Sequence, residues 1–263
     1  MSNASFQKLY IQVSLNYFSY CIKNQVNNQI TGFKTFALDP FKTIEQQLDF
    51  FFDKEEALQA GYEDVLVLHD NNLNTFVPTP LFDETALGSY LQYNVKVFPT
   101  DYFAHDSLEQ AKMENVYVPY VAFNNYFLDK FGGFNFQHIN TNLVQHFLHK
   151  SASSNGIDFY VHITASRFEI VLVQNKQLQF FNSYEYQTKE DFIYYLLFVF
   201  EQLQLNTQEQ KVQLIGCVDE ESPLYQIAYQ FIRNVHVTSL HTLAQTLSVT
   251  TQQVQQHYIL LQA

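Results

Sequence analysis

The chain has 263 residues, of which 47% are apolar and 17% aromatic, with 26 Phe, 18 Tyr and no Trp. That much bulky apolar surface offsets chain entropy and excludes intrinsic disorder, and the length fits one large domain or two modest ones. Fourteen Lys plus Arg against 26 Asp plus Glu give a net charge of −12, with Arg167 and Arg233 as the two arginines; a nucleic-acid binder, which grips phosphates with clustered cations, is excluded.

With 7 Gly and 6 Pro, collagen-like and linker-like chains are excluded as well. The longest uncharged apolar run, residues 192–200, is about half of what a bilayer crossing needs. Residues 1–9 lack a long apolar stretch behind a basic start, so no membrane insertion and a cytoplasmic location are expected. Cys21 and Cys217 lie in apolar stretches, as reduced core thiols do, and their spacing leaves a disulfide open.

In chain order, residues 10–22 (YIQVSLNYFSYCI) read as two strands rich in β-branched and aromatic residues, broken at Leu15-Asn16 by a hairpin turn. Residues 30–38 form a third strand after a turn at Asn27-Asn28. A helix over residues 40–58 starts at Asp39-Pro40 and places Phe41, Ile44, Leu48 and Phe51 or Phe52 on one buried face. A short fourth strand spans residues 65–68. Residues 85–93 read as a short helix, residues 95–98 as a strand, and residues 101–108 as a strand pairing with residues 116–118. A helix over residues 120–131 stops at Gly132-Gly133; a short strand at residues 134–136 and an amphipathic helix at residues 140–150 follow. Residues 151–156 (SASSNG) are the best linker in the chain, which divides it into an N-terminal lobe of residues 1–150 and a C-terminal lobe of residues 151–263.

The second half repeats the first at an offset of 150 residues. Residues 160–172 (YVHITASRFEIVL) align without a gap under residues 10–22, with a break at Ala165-Ser166. A third strand at 178–186, a helix at 189–205 begun by Thr188, and a fourth strand at 212–215 continue the order. The stretch FIYYLLFVF in that helix is apolar nearly all round and is expected to be deeply buried. A helix over residues 223–233, a strand over residues 235–240 and a helical Gln-rich tail complete the chain.

Strand–strand–strand–helix–strand, present twice, resembles the actin-like ATPase superfamily of actin, sugar kinases and chaperone nucleotide-binding domains. The resemblance implies an α/β fold of two RNase H-like lobes, each a mixed sheet with a three-strand meander and crossover helices. More closely, LYIQVSLNYFSYCI, LVLHDNNLNTFVPTPLFDE, NVYVPYVAFNNYFLDKF and FQHINTNLVQHFLH resemble an uncharacterised bacterial family with an actin-like fold and no assigned activity.

The resemblance places a nucleotide site at the turn after strand one of each lobe. There backbone N–H groups grip phosphates, a glycine permits close approach, and a carboxylate holds a divalent metal. The matching positions here are Ser14 and Asn16 in the first turn, Thr164 and Ser166 in the second, and Gly216 at the adenosine-contacting element, which normally has paired glycines. Neither turn carries a carboxylate or a glycine. ATP and magnesium are therefore not expected as cofactors.

Other constellations are weaker. His146 and His149 share a helix face and could join His138 in a metal trio, but no Cys or neighbouring carboxylate completes the set. His162, on a strand, reads as a hydrogen-bonded core histidine. Asp219-Glu220-Glu221 reads as a solvated loop, and no P-loop, nucleophile elbow or Rossmann fingerprint occurs. Aromatics along residues 76–103 read equally as a partly exposed protein-binding surface and as rings filling the core between the lobes. The expectation is a non-catalytic binding or scaffold module with an unidentified protein partner. The alternatives are a divergent ATP-binding kinase or ATPase using Asp70 or Asp219, and self-association as a homodimer. Within the superfamily, the nearest analogies are actin-like components of pilus-assembly and secretion machines.

Overall fold

The structure is a computed structural model and describes residues 6–62, 64–98 and 100–263. It divides into two compact units, one running to Leu143 and taking in Ile259–Ala263, the other Val144–Tyr258.

The first unit opens with β1 (Gln7–Val13), β2 (Tyr17–Asn24) and β3 (Ile30–Ala37), an antiparallel meander. Then α1 (Ile44–Lys54) and α2 (Glu56–Gln59) cross over to β4 (Asp64–His69), which lies parallel to β1. Parallel neighbours cannot be joined by a tight turn, so the crossover is obligatory. β5 (Asn74–Pro78), α3 (Leu87–Leu91), β6 (Ala104–Leu108) and β7 (Met113–Tyr117) form an antiparallel annex in the order β5-β7-β6. α4 (Val121–Phe131) then leads to β8 (Asn135–His138), completing the main sheet as β3-β2-β1-β4-β8. Phenylalanines make its core: Phe18 stacks on Phe36 and Phe51, with centroids 6.0 Å apart in each pair, and Phe36 lies 4.4 Å from Phe51.

α5 (Ile139–Lys150) carries the chain across the division. The second unit then repeats the first: β9 (Ile157–Ile163), β10 (Arg167–Gln174), β11 (Gln177–Glu185), α6 (Lys189–Gln202), β12 (Lys211–Gly216), α7 (Pro223–Phe231) and β13 (Asn234–Val237), with sheet order β11-β10-β9-β12-β13. The likeness reaches single residues. Val13 faces Phe18 as Ile163 faces Phe168, and the β2–β3 register slips at Ile22/Lys23 as the β10–β11 register slips at Leu172/Val173. α8 (His241–Leu247), α9 (Thr251–Gln256) and α10 (Tyr258–Gln262) form the tail. It is broken because Ser248 takes a left-handed φ of 59° and Thr250 caps a fresh start.

Three sequence expectations are corrected, and one strand is added. The helix expected from residue 40 begins at Ile44 on the Thr43 cap. Asp39 accepts N–H groups from Phe41 (Oδ1, 3.0 Å) and Lys42 (main-chain O, 3.1 Å), and the turn so formed leaves Phe41 96% exposed. Residues 95–98 are not a strand: Val95 donates to Leu91 O and Phe98 to Asp101 Oδ2, so neither N–H is available to a ladder. β5 was not foreseen, because Asn74 and Pro78 at its ends are strand-poor types and leave only Thr75, Phe76 and Val77 as a strand signal. α6 is buried on one side only, with Tyr194 63% and Phe198 44% exposed.

Candidate functional site

At the corner of the first unit, the turn after β1 is closed on itself. Ser14 donates its N–H to Tyr17 O (3.0 Å), and Ser14 Oγ accepts the N–H groups of Asn16 (3.1 Å) and Tyr17 (3.0 Å). Asn16 is exposed, while its carbonyl accepts Leu38 N–H at 2.9 Å and ties the turn to the end of β3. Beneath the turn, Gln12 Nε2 donates to Asp70 Oδ2 (2.7 Å) and to Tyr17 Oη (2.6 Å), and Tyr17 Oη donates to the same carboxylate oxygen. Asp70 N–H donates to Val13 O at 2.8 Å, which holds the end of β4 against β1. Asp70 is thus a buried carboxylate committed to two side chains.

The second corner has the same backbone and different chemistry. Thr164 donates its N–H and its Oγ1 to Arg167 O, both at 2.8 Å, and Ser166 O accepts Tyr186 N–H at 3.1 Å. Gln12, Tyr17 and Ser19 of the first unit correspond to His162, Arg167 and Glu169. Glu169 is fully buried. Arg167 Nε donates to its Oε1, and His162 Nδ1 lies 2.9 Å from its Oε2. Burial would push this carboxyl up; the Arg167 guanidinium, then the His162 hydrogen bond, outweigh it and hold it below the usual carboxylate range.

Gly216 has a structural task. Its φ is +100°, and a Cβ there would sit 2.3 Å from Ile163 O, the oxygen that accepts Cys217 N–H at 2.8 Å. Bare backbone is what lets β12 end against β9. Asp219, an exposed residue, accepts Glu221 N–H in a turn ahead of α7. Both cysteines are free thiols, Cys21 buried and Cys217 half-buried.

The histidines have separate roles. His138 is fully buried at the end of β8; its Nδ1 accepts Asn140 N–H and its Nε2 reaches Asn71 Oδ1 at 3.1 Å. His146 Nε2 lies 2.8 Å from Tyr258 Oη, and burial first, then Lys150, lowers it to about 4. His149 is exposed. Among the described residues, no group of three or more His, Cys, Asp or Glu side chains is arranged to hold a metal ion. Sequence reasoning placed the turns and missed the layer under them: Tyr17, and the Arg167–Glu169 pair. The available signal was polar residues at inward strand positions that coincide between the two copies.

No curated protein matches the chain. It is similar to the crystal structure of a protein with actin-like ATPase fold and unknown function from Bacteroides thetaiotaomicron VPI-5482, at 21% identity and a TM-score of 0.82, over 94% of this chain and 98% of that one. It is also similar to a chain of the PilM-PilN type IV pilus biogenesis complex, at 9% identity and a TM-score of 0.61, over 97% of this chain and 96% of that one. Identities this low establish fold alone, and the fold is the actin-like ATPase fold. The family described as "Protein of unknown function (DUF3822)" matches residues 1–235, and the chain belongs to that family.

Proposed function

We propose that the chain is a non-catalytic binding or scaffold module of the cytoplasm, built by duplication of one lobe, whose nucleotide corners are closed. The observation that carries this reading is the first turn, where Ser14 Oγ takes the N–H groups of Asn16 and Tyr17 that a phosphate-gripping loop would present outward. Asp70, which the enzyme alternative needs, is held below by Gln12 and Tyr17. The corresponding layer of the second unit is spent on an internal ion pair. The PilM-PilN complex supports a binding role by analogy, since an actin-like chain there stands in a protein complex.

Titration with ATP and magnesium checks this directly. A ligand present at a hundred times its Kd adds about 2.7 kcal/mol to stability. The expected result is no heat of binding and an unchanged melting temperature in millimolar nucleotide. Saturable heat with a matching rise in melting temperature would overturn the reading.

A further inference from the structure

The outer helices of the second unit expose aromatic side chains where their other faces are buried. On α6, Glu190, Tyr194, Phe198 and Glu201 follow at four-, four- and three-residue steps, which puts them on one stripe, all of them exposed. Their opposite numbers Phe192, Leu196, Val199 and Phe200 fill the core. α7 packs beside α6 and exposes Tyr229 (60%), which stacks on Tyr225 with centroids 5.8 Å apart. Scattered exposed rings are ordinary; two rings on one stripe of a helix, with an exposed ring on the helix packed beside it, mark an interaction surface.

The charge around these rings is predominantly negative. Between residues 188 and 233 the chain has seven carboxylates against three cations, Lys189, Lys211 and Arg233. Three carboxylates have local partners: Asp191 caps α6, Asp219 holds its turn, and Glu190 meets Lys189 in an exposed pair at 3.9 Å that a partner's cation can displace. Glu190 and Glu201 flank the α6 rings, and α7 has no charged residue. Glu220 lies in the exposed turn just ahead of α7, and burial first, then that carboxylate, raises the Tyr225 phenol. An anionic lipid surface would be repelled by such a rim, whereas a cationic segment with its own apolar side would match both features.

We propose that the α6–α7 face docks a basic amphipathic helix of a partner protein, apolar side chains on Tyr194, Phe198 and Tyr229, and lysines or arginines on the flanking glutamates. The inference rests on the reading of the chain as a binding module and supplies that module with a partner chemistry. Its failure is separable from failure of that reading, because the nucleotide titration does not depend on this face.

The probe is a fluorescein-labelled synthetic amphipathic helix of Leu and Lys, followed by anisotropy with the full chain at 50 and 500 mM NaCl; a Leu/Glu helix of the same pattern is the control. The Leu/Lys helix is expected to bind, tenfold or more weakly at high salt, and the Leu/Glu helix not to bind. The double variant Tyr194→Ser/Phe198→Ser should lose at least tenfold in affinity, and Glu190→Gln/Glu201→Gln should flatten the salt dependence. Phe50→Ser, an equally exposed ring on the first unit, should change neither. Circular dichroism checks that each variant retains its fold. Absence of Leu/Lys binding, equal loss from Phe50→Ser, or undiminished binding by the double variant at retained helicity would overturn the proposal. So would a mass near twice 30.9 kDa in light scattering that the double variant abolishes, because the occupant would then be a second copy.

Discussion

Arg167 is the cation that makes a fully buried Glu169 tolerable, and the two must be considered together. Removing one partner of a buried ion pair strands the other, at about 3–5 kcal/mol, whereas replacing both by apolar groups is far milder. Arg167→Ala is therefore expected to cost about 3–5 kcal/mol in urea unfolding, and Arg167→Met/Glu169→Leu to recover most of it. His69 gives a pH dependence. Its Nδ1 accepts Tyr120 N–H and its Nε2 reaches Asn124 Oδ1, and burial lowers its pKa to about 4. Its folded pKa is depressed below the unfolded value near 6.5, so the neutral ring stabilises fully above about 6.5 and that contribution fades as pH falls toward 4. Wild type should lose about 3 kcal/mol from this group between pH 7.5 and 4, a loss that His69→Gln abolishes when the two pH values are compared in urea. Asp106 runs the other way. Burial raises it to about 6 against the donors Thr141, His138 N–H and Tyr117; its contribution is full below about 3.9 and fades as pH rises through 6. His146 gains stability over the same range, so the group is isolated by difference: the stability of wild type relative to Asp106→Asn should decline between pH 4 and 6.

Among the elements, α6 owes its start to Thr188 and Asp191, which satisfy each other's backbone donors in a capping box. Thr188→Ala should cost about 1 kcal/mol, read in the same urea assay. Gly216→Ala, at a positive φ with a carbonyl in the way, should cost about 1–3 kcal/mol and leave nucleotide titrations as they were. The meanders were legible in the sequence because β-branched and aromatic residues alternate up to a two-residue polar break, and the same break recurs 150 residues on. The start of α1 was not, because periodicity ran through Phe41 while Asp39 captured the backbone locally. Nor were residues 95–98, whose Val95 and Val97 pack on the annex core without any strand to pair with. The candidate corners were visible as turns lacking Gly and Asp. The Gln12–Tyr17–Asp70 and His162–Arg167–Glu169 layers were not, because only strand register brings together residues up to 58 positions apart.

For the whole molecule, the two units share strand order, a register slip and the hydrogen bonds that close each corner, while the side chains beneath differ. A fold can keep its backbone while its site chemistry changes, which is why the actin-like architecture does not by itself confer an activity. Among the described residues, no helix is long and apolar enough to cross a membrane. The exposed segment at residues 152–156 joins α5 to β9, and a broad-specificity protease should make its first cut there, as mass spectrometry of the fragments would show. The return of Ile259–Ala263 to the first unit sets a constraint in time. Buried Leu260 and Leu261, and the Ala263 carbonyl that accepts Lys23 Nζ at 2.9 Å, leave the ribosome only after the entire second unit. The half that is translated first is thus the half that must wait for its finishing piece, reversing the N-to-C order in which domains ordinarily mature on the ribosome.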